Sequence, residues 1–485
     1  MKKQVINIIA GSVLIIAGQS CTKQFEELNT DPNHPVVAPT TNVLAYAIED
    51  FGAHLYDAWG DMNEPETYAG HLGKIQYIDE ARYVFRTGTV SNDWTYYYRD
   101  LKNLANVIAT AKNDKAVNMQ AAALTFQTFI AQKATDTWRD IPFSDAIKGD
   151  SGYLTPKYDK QENIYPALIA NLKTAGDLFA TNAIDKLGEG DLIYNGDITK
   201  WQKFCNSLRL RLAIRISNVA PDAAKANIEE ILGNQSKYPV FESNDDNAFL
   251  VWPGTDPYIE PWAADYQGRD DHAVSEPLVT TLISLADPRL PVYAKPATAD
   301  GAYRGVEIGP PGQVTLAQYS RIGTAFRENA TGFTPYMRYA EVEFIIAEAA
   351  AKGWNAGATA QDAYEAGVKA SLAENGITNP AAVNTYLGGS NVAWNGDVKK
   401  IYLQKWIALF KDGHEAWAES RRTDVPLLPA ARGSAYAGHN RAPFRYPYPT
   451  EETTLNGANS GESIAKVKDY FWGQQMWWDT RGGVQ

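Results

Sequence analysis

The sequence predicts an all-α, mainly helical body carrying one irregular, loop-rich region. Three observations predict it. Amphipathic segments with apolar residues three and four apart follow one another from residue 42 to about residue 220. The pattern returns in paired blocks over residues 336–420, and residues 241–335 are so broken by Pro and Gly that no period survives.

The order begins with a segment that is not part of that body. Lys2 and Lys3 precede an apolar run from Val5 to Ala17, the length of a secretion-signal core. Asn7, Gly11 and Ser12 interrupt it, so it is too short for a permanent membrane span of ~20 apolar residues. Gly18, Gln19 and Ser20 then lead to Cys21, which looks like a lipobox, with Gly18 where a branched aliphatic is usual. Residues 1–20 are therefore expected to be a lipoprotein signal, with Cys21 acylated as the mature N-terminus. Ordinary signal cleavage with Cys21 free is the alternative. Residues 21–41, "CTKQFEELNTDPNHPVVAPTT", lack a helical period and read as an extended tether.

The helices follow. "NVLAYAIEDFGAHLYDAW" opens the series, and "SNDWTYYYRDLKNLANVIATAK" is the second, with Ser91 or Asn92 expected as its cap. "VNMQAAALTFQTFIAQKATDTW", Ala-rich and unbroken, is the third and stops before Pro142. "ENIYPALIANLKTAGDLFA" and "DITKWQKFCNSLRLRLAIRIS" form the next pair, the latter with a stripe of Trp201, Phe204, Leu208 and Leu212. Cys205, within that pattern, reads as a small buried hydrophobe. "RYAEVEFIIAEAAAKG" ends at Gly353, a left-handed cap. "TAQDAYEAGVKASLAENG" starts with Thr359 and Asp362 in capping-box spacing and ends at Gly376. Together the two look like a helix pair of tetratricopeptide length.

Net charge is −12, or −14 without residues 1–20, which disfavours nucleic acid and anionic lipid as partners. The 27 Tyr, 13 Trp and 16 Phe exceed what a helical body needs for packing, so some rings are expected to face a ligand.

Five stretches in series, "GDITKWQKFCNSLRLRLAIRIS", "ADPRLPVY", "RYAEVEFIIAEAAAKG", "IYLQKWIALFKDGHEAWAESRRTDVP" and "RYPYPTEE" with Asn456 after it, lie behind a lipoprotein-like signal and "FEELNTDPN". In this order they resemble the SusD/RagB family of nutrient-binding outer-membrane lipoproteins, SusD-like branch, across essentially the whole chain. The resemblance implies one domain over 42–485, in which four tetratricopeptide-like helix pairs support the loop-rich ligand-binding region 241–335. A helical repeat block over 336–420 and an irregular C-terminal segment over 421–485 complete it. It also implies a lipid anchor on the cell surface, oligosaccharide or in some branches peptide ligands, and a SusC-like TonB-dependent transporter that the protein caps as a lid.

Local chemistry reads mostly as structure. Glu341 is expected to pair with Arg338, and Glu343 and Glu348 to lie on polar or capping faces. Arg421 and Arg422 are expected just after a helix, binding carbonyls or Asp424. His414 and Glu415 in "HEAW" fail the zinc-protease pattern, because the fourth position on is Ala418. No cofactor is expected. The loop "GRDDH" (268–272) is a candidate for a cation such as Ca2+ but lacks further oxygen ligands at calcium-loop spacing.

The binding candidates lie in "VWPGTDPYIEPWAADYQGRDD": Trp252, Tyr258, Trp262 and Tyr266, with Arg269 and Asp270 to bond sugar hydroxyls; Tyr77, Tyr83 and Phe85, in "KIQYIDEARYVFRTG" between two early helices, are second-tier rings on the same argument. Each ring has packing as its plainer alternative. Glycan capture without turnover is the leading expectation. A peptide-binding member of the same fold and an anchored glycoside hydrolase using two carboxylates are the alternatives.

Overall fold

The computed structural model describes residues 38–149 and 152–485. The expected signal, Cys21 and the tether up to residue 37 lie outside the described residues. Ten principal helices carry the architecture. The first, α1 (Thr40–Leu55), begins inside the expected tether and ends short of Trp59. Next, α2 (Thr87–Asp114) starts four residues before Ser91, so neither Ser91 nor Asn92 caps it, and Arg86 stands at its N-cap without a side-chain bond. The Ala-rich pattern becomes α3 (Val117–Trp138) with its expected ends. Then come α4 (Gln161–Phe179), α5 (Ile198–Arg215), capped by Asp197 on the Lys200 amide, and α6 (Pro221–Leu232).

Each helix from α1 to α6 packs on the next. The second block is α7 (Tyr339–Ala351), α8 (Ala360–Glu374), α9 (Val398–Ala408) and α10 (Gly413–Thr423). Here the expected stops and starts are present: Gly353 and Gly376 have φ of +77° and +75°, and Thr359 Oγ1 accepts from the Asp362 amide at 3.1 Å.

The two blocks meet where α5 packs on α7, and α10 on α3. Their seam is ionic and buried. Glu341 (α7) receives Arg211 Nε (α5) at 2.8 Å, and Glu419 (α10) receives Arg215 Nη1 (α5) at 2.6 Å. Glu415 (α10) pairs with Arg215, and Lys133 Nζ (α3) donates to Asp412 at 2.8 Å. Glu341 thus pairs across the seam rather than with Arg338, which reaches Glu374 at 2.9 Å. Glu348 is buried against Arg422, not on a polar face. Arg421 does bind carbonyls, those of Trp417, Asp136 and Phe444, but it and Arg422 lie within α10; Asp424 is held instead by Arg441 at 2.9 Å. Cys205 is buried, and burial pushes its thiol up to about 12.

Residues 241–335 are less bare than their sequence suggests. Ala248–Val251 pairs antiparallel with Phe333–Met337, and His272–Val274 pairs with Leu72–Lys74. The short helices Pro261–Tyr266 and Glu276–Ser284 lie between. The C-terminal segment likewise holds the helices Thr450–Leu455 and Gly457–Ile464 and a hairpin pairing Val467–Lys468 with Trp472–Gly473. Most of the aromatic surplus is core: Trp138, Trp201, Trp262, Trp406, Trp417, Trp472 and Trp478 are all fully buried.

Candidate functional site

At the end of α1 the chain makes one wide turn of π-helix, Ala58–Met62, a form that recurs at functional sites. Asp57 starts it, its Oδ1 accepting from the Trp59 and Gly60 amides at 2.8 and 2.7 Å. Burial pushes the Asp57 carboxyl up to about 6, against the pull of those two amides. Gly60 is required by close approach, since a Cβ there would lie 2.2 Å from the His54 carbonyl oxygen. From behind, His414 Nε2 meets the Gly60 carbonyl at 2.9 Å. Burial drives that imidazole down to about 3, so it is neutral and Nε2–H is the donor. Held on both sides, the turn presents Trp59 with 51% of its surface in solvent.

Trp59 borders a cleft of about 580 Å3 shared with His54, Asp57, Phe85, Arg86, Asn92 and Tyr96. Along α1 and α2 the aromatic surface continues. The Tyr96 ring lies 4.2 Å from His54, and the Arg99 guanidinium sits 4.7 Å from Tyr96 and 5.9 Å from Tyr46 while pairing with Asp50. Tyr46 then opens a second, mainly apolar cavity of about 420 Å3 with Val251, Trp252 and Tyr258. The result is an arc of rings, Trp59, His54, Tyr96, Tyr46 and Tyr258, interleaved with Arg99 and Asp57. Flat apolar faces beside hydrogen-bonding groups suit a carbohydrate, whose ring has an apolar face and a polar rim.

The residues singled out from sequence divide across this surface. Tyr258 is half exposed and belongs to the arc. Trp252 lines the same cavity but is 3% exposed, its Nε1–H donating to Thr334 Oγ1 at 3.0 Å, so it is a floor rather than a platform. Trp262 is a correction. It is fully buried, with the Lys411 ammonium 4.8 Å above its ring and Phe410 against it edge-on. Tyr83 is also core, its hydroxyl accepting from the Ala431 amide at 2.8 Å.

Tyr266 and Asp270 border a separate cavity of about 440 Å3 with Lys295, Arg321 and Arg327. Arg269 lies 4.5 Å over the ring of Tyr77, itself exposed on a positive-φ residue. The carboxylates of "GRDDH" are occupied, Asp270 by Arg321 and Asp271 by Arg269, and His272 Nε2 meets Asn63 Oδ1 at 3.0 Å. Among the described residues no group of three or more His, Cys, Asp or Glu could hold a metal ion.

Trp59, Tyr46 and Tyr96 were missed by sequence reasoning. Trp59 continues the apolar period of α1 by one more turn, and only the break at Gly60 hints that the ring leaves the helix face.

A family described as starch-binding and associating with the outer membrane matches residues 32–449. Solved structures resemble the chain over nearly its whole length. A chitin-binding protein has 28% identity and a TM-score of 0.79, covering 91% of this chain and 100% of its own. A SusD homolog from Bacteroides uniformis has 26% and 0.76, covering 90% and 99%. A chitin-binding SusD homolog from Flavobacterium johnsoniae has 25% and 0.78, covering 91% and 98%. No curated protein matches the chain. No helix among the described residues is long and apolar enough to cross a membrane. A match that spans most of the chain, on a helical body with a ring-lined face, has one meaning: the protein belongs to the SusD-like family.

Proposed function

We propose that the protein captures an oligosaccharide at the cell surface and hands it to a SusC-like TonB-dependent transporter, which it covers as a lid. In this reading it is held at the outer membrane by lipid on Cys21. The observation that carries glycan capture is the half-exposed Trp59 on a turn locked by Asp57 and His414, heading a continuous aromatic arc. If three rings each remove ~100 Å2 of apolar area over both partners, they contribute roughly 7 kcal/mol, and association costs at least ~4 kcal/mol of it. Such a ligand leaves quickly, which suits delivery to a transporter.

Two carboxyl groups, Asp57 and Asp93, border the cleft, as a hydrolase would require. Asp57 Oδ1 is occupied by two backbone amides and Asp93 is only 3% exposed, so neither carboxyl is freely presented to a ligand, which supports binding without turnover. The test is a glycan and peptide panel by thermal shift, with product analysis of every binder and co-purification from membranes. Chito-oligosaccharides come first, because two similar structures are chitin-binding. An intact glycan that raises Tm, and a co-purifying β-barrel transporter, are expected. Stabilisation by peptides alone, or a shortened glycan, would overturn the reading.

A further inference from the structure

We propose that Tyr470, with Phe85 and Tyr436, forms a second aromatic platform continuous with the Trp59 cleft, so that the face takes an extended oligosaccharide rather than a mono- or disaccharide. The proposal rests on the glycan-binding reading above. Phe85 joins the two places: it borders the cleft and carries Tyr470 stacked on it, with centroids 4.4 Å apart and planes 16° apart. Tyr436 extends the surface at 5.8 Å from Tyr470. Tyr470 is not among the residues bordering the cleft itself, so a short saccharide seated against Trp59 does not touch it.

The hairpin is built to hold that ring outside. Asp469 and Tyr470 both have left-handed backbone, φ +46° and +64°, a conformation uncommon for side chains other than Gly or Asn. The strain is held in place by neighbours on each side. Phe471 is buried, edge-on to Tyr68 and Tyr446, and its carbonyl accepts from the Phe444 amide at 2.8 Å. Asp469 is held by His439 at 3.0 Å, whose ring lies flat on Trp472 at 3.8 Å. With both flanking residues fixed, Tyr470 turns outward and keeps 45% of its surface in water. Sites where surrounding contacts over-determine a strained residue cluster at ligand clamps, and here the strained residue carries a flat ring aligned with the cleft wall.

The test is titration calorimetry of the purified protein with chito-oligosaccharides from the dimer to the hexamer, beside Tyr470→Gly and Trp59→Ala variants. Glycine fits φ +64° without strain, so Tyr470→Gly removes the ring without endangering the turn. Wild-type affinity is expected to climb with chain length. Tyr470→Gly should weaken the hexamer about tenfold or more and leave the dimer unchanged, while Trp59→Ala weakens every length. Equal affinity of Tyr470→Gly and wild type for the hexamer would overturn the second platform and leave the Trp59 site standing. No binding by the wild type at any length would overturn this proposal for chito-oligosaccharides, whereas the glycan-capture reading is decided by the wider panel above.

Discussion

Truncating Trp59 to Ala tests the proposed site most directly. The ring is 51% exposed, so a sugar laid on its free face removes about 100 Å2 of mostly apolar area over both partners. At ~25 cal/mol/Å2 that is ~2.5 kcal/mol, or about seventy-fold in Kd. The fold should scarcely notice. The turn is held by the Asp57 carboxylate on backbone amides and by His414 on the Gly60 carbonyl, none of which uses the indole. Titration calorimetry with the tightest-binding oligosaccharide measures the loss, and thermal unfolding should move by no more than about 1 °C, as expected for a surface substitution. Trp59→Phe keeps a flat ring and should recover part of the affinity. A change in Kd under about threefold, against a wild type that binds, would remove Trp59 from the site and refute the argument from exposure.

Trp262→Ala should do the opposite, costing roughly 3–5 kcal/mol of stability through its cavity while leaving glycan affinity nearly intact in the folded fraction, as read by denaturant unfolding and calorimetry. Glu415→Gln leaves the Arg215 and Arg211 guanidiniums short of a buried carboxylate, a cost of about 3–5 kcal/mol. At ~2.1 cal/mol/K per residue over roughly 450 folded residues, this lowers Tm by about 4 °C. Those guanidiniums hold the Glu415 carboxyl well below its usual range in spite of burial. Its contribution is therefore full above the unfolded value of 4.5 and is lost as pH falls through the lower folded value, so the gap between wild type and Glu415→Gln should narrow in acid. Asp57 has the reverse sign. Its carboxyl is raised from 3.8 to about 6, so the stability of wild type relative to Asp57→Asn should fall as pH rises from about 4 to 6 and be flat above about 7, measured by denaturant midpoints.

What the sequence disclosed and what it hid follow from the range of the forces involved. The third helix is legible to the residue because Ala propensity and a following Pro act locally, and the Thr359 cap and Gly353 stop are equally local. The partner of Glu341 is not local. Arg338 stands three residues away, but Arg211, 130 residues distant, takes the carboxylate because the helices cross there. The same limit scattered the aromatic candidates. Trp252, Tyr258, Trp262 and Tyr266 crowd one Pro-rich stretch, yet they face a cavity floor, a rim, the core and a separate cavity. Proximity in sequence gave no information about direction, and the rings that share the arc come from α1, the π-helical turn after it, α2 and the loop after Val251. The lone Gly60 that turns Trp59 outward carries its meaning only through the His54 carbonyl beside it.

The contact between His414 and Gly60 joins residues 354 positions apart, and it bears on how this binding face can change over time. The wall behind Trp59 is supplied by α10, whose next residue, Glu415, belongs to the seam between the helical blocks. A segment exchanged with a relative keeps the turn supported only where the histidine at position 414 comes with it or is already present, because Gly60 offers only its backbone carbonyl. Point substitutions at Tyr46, Asn92, Tyr96 or Tyr258 touch nothing in that seam, and new nutrient preferences are expected to arise through them one side chain at a time.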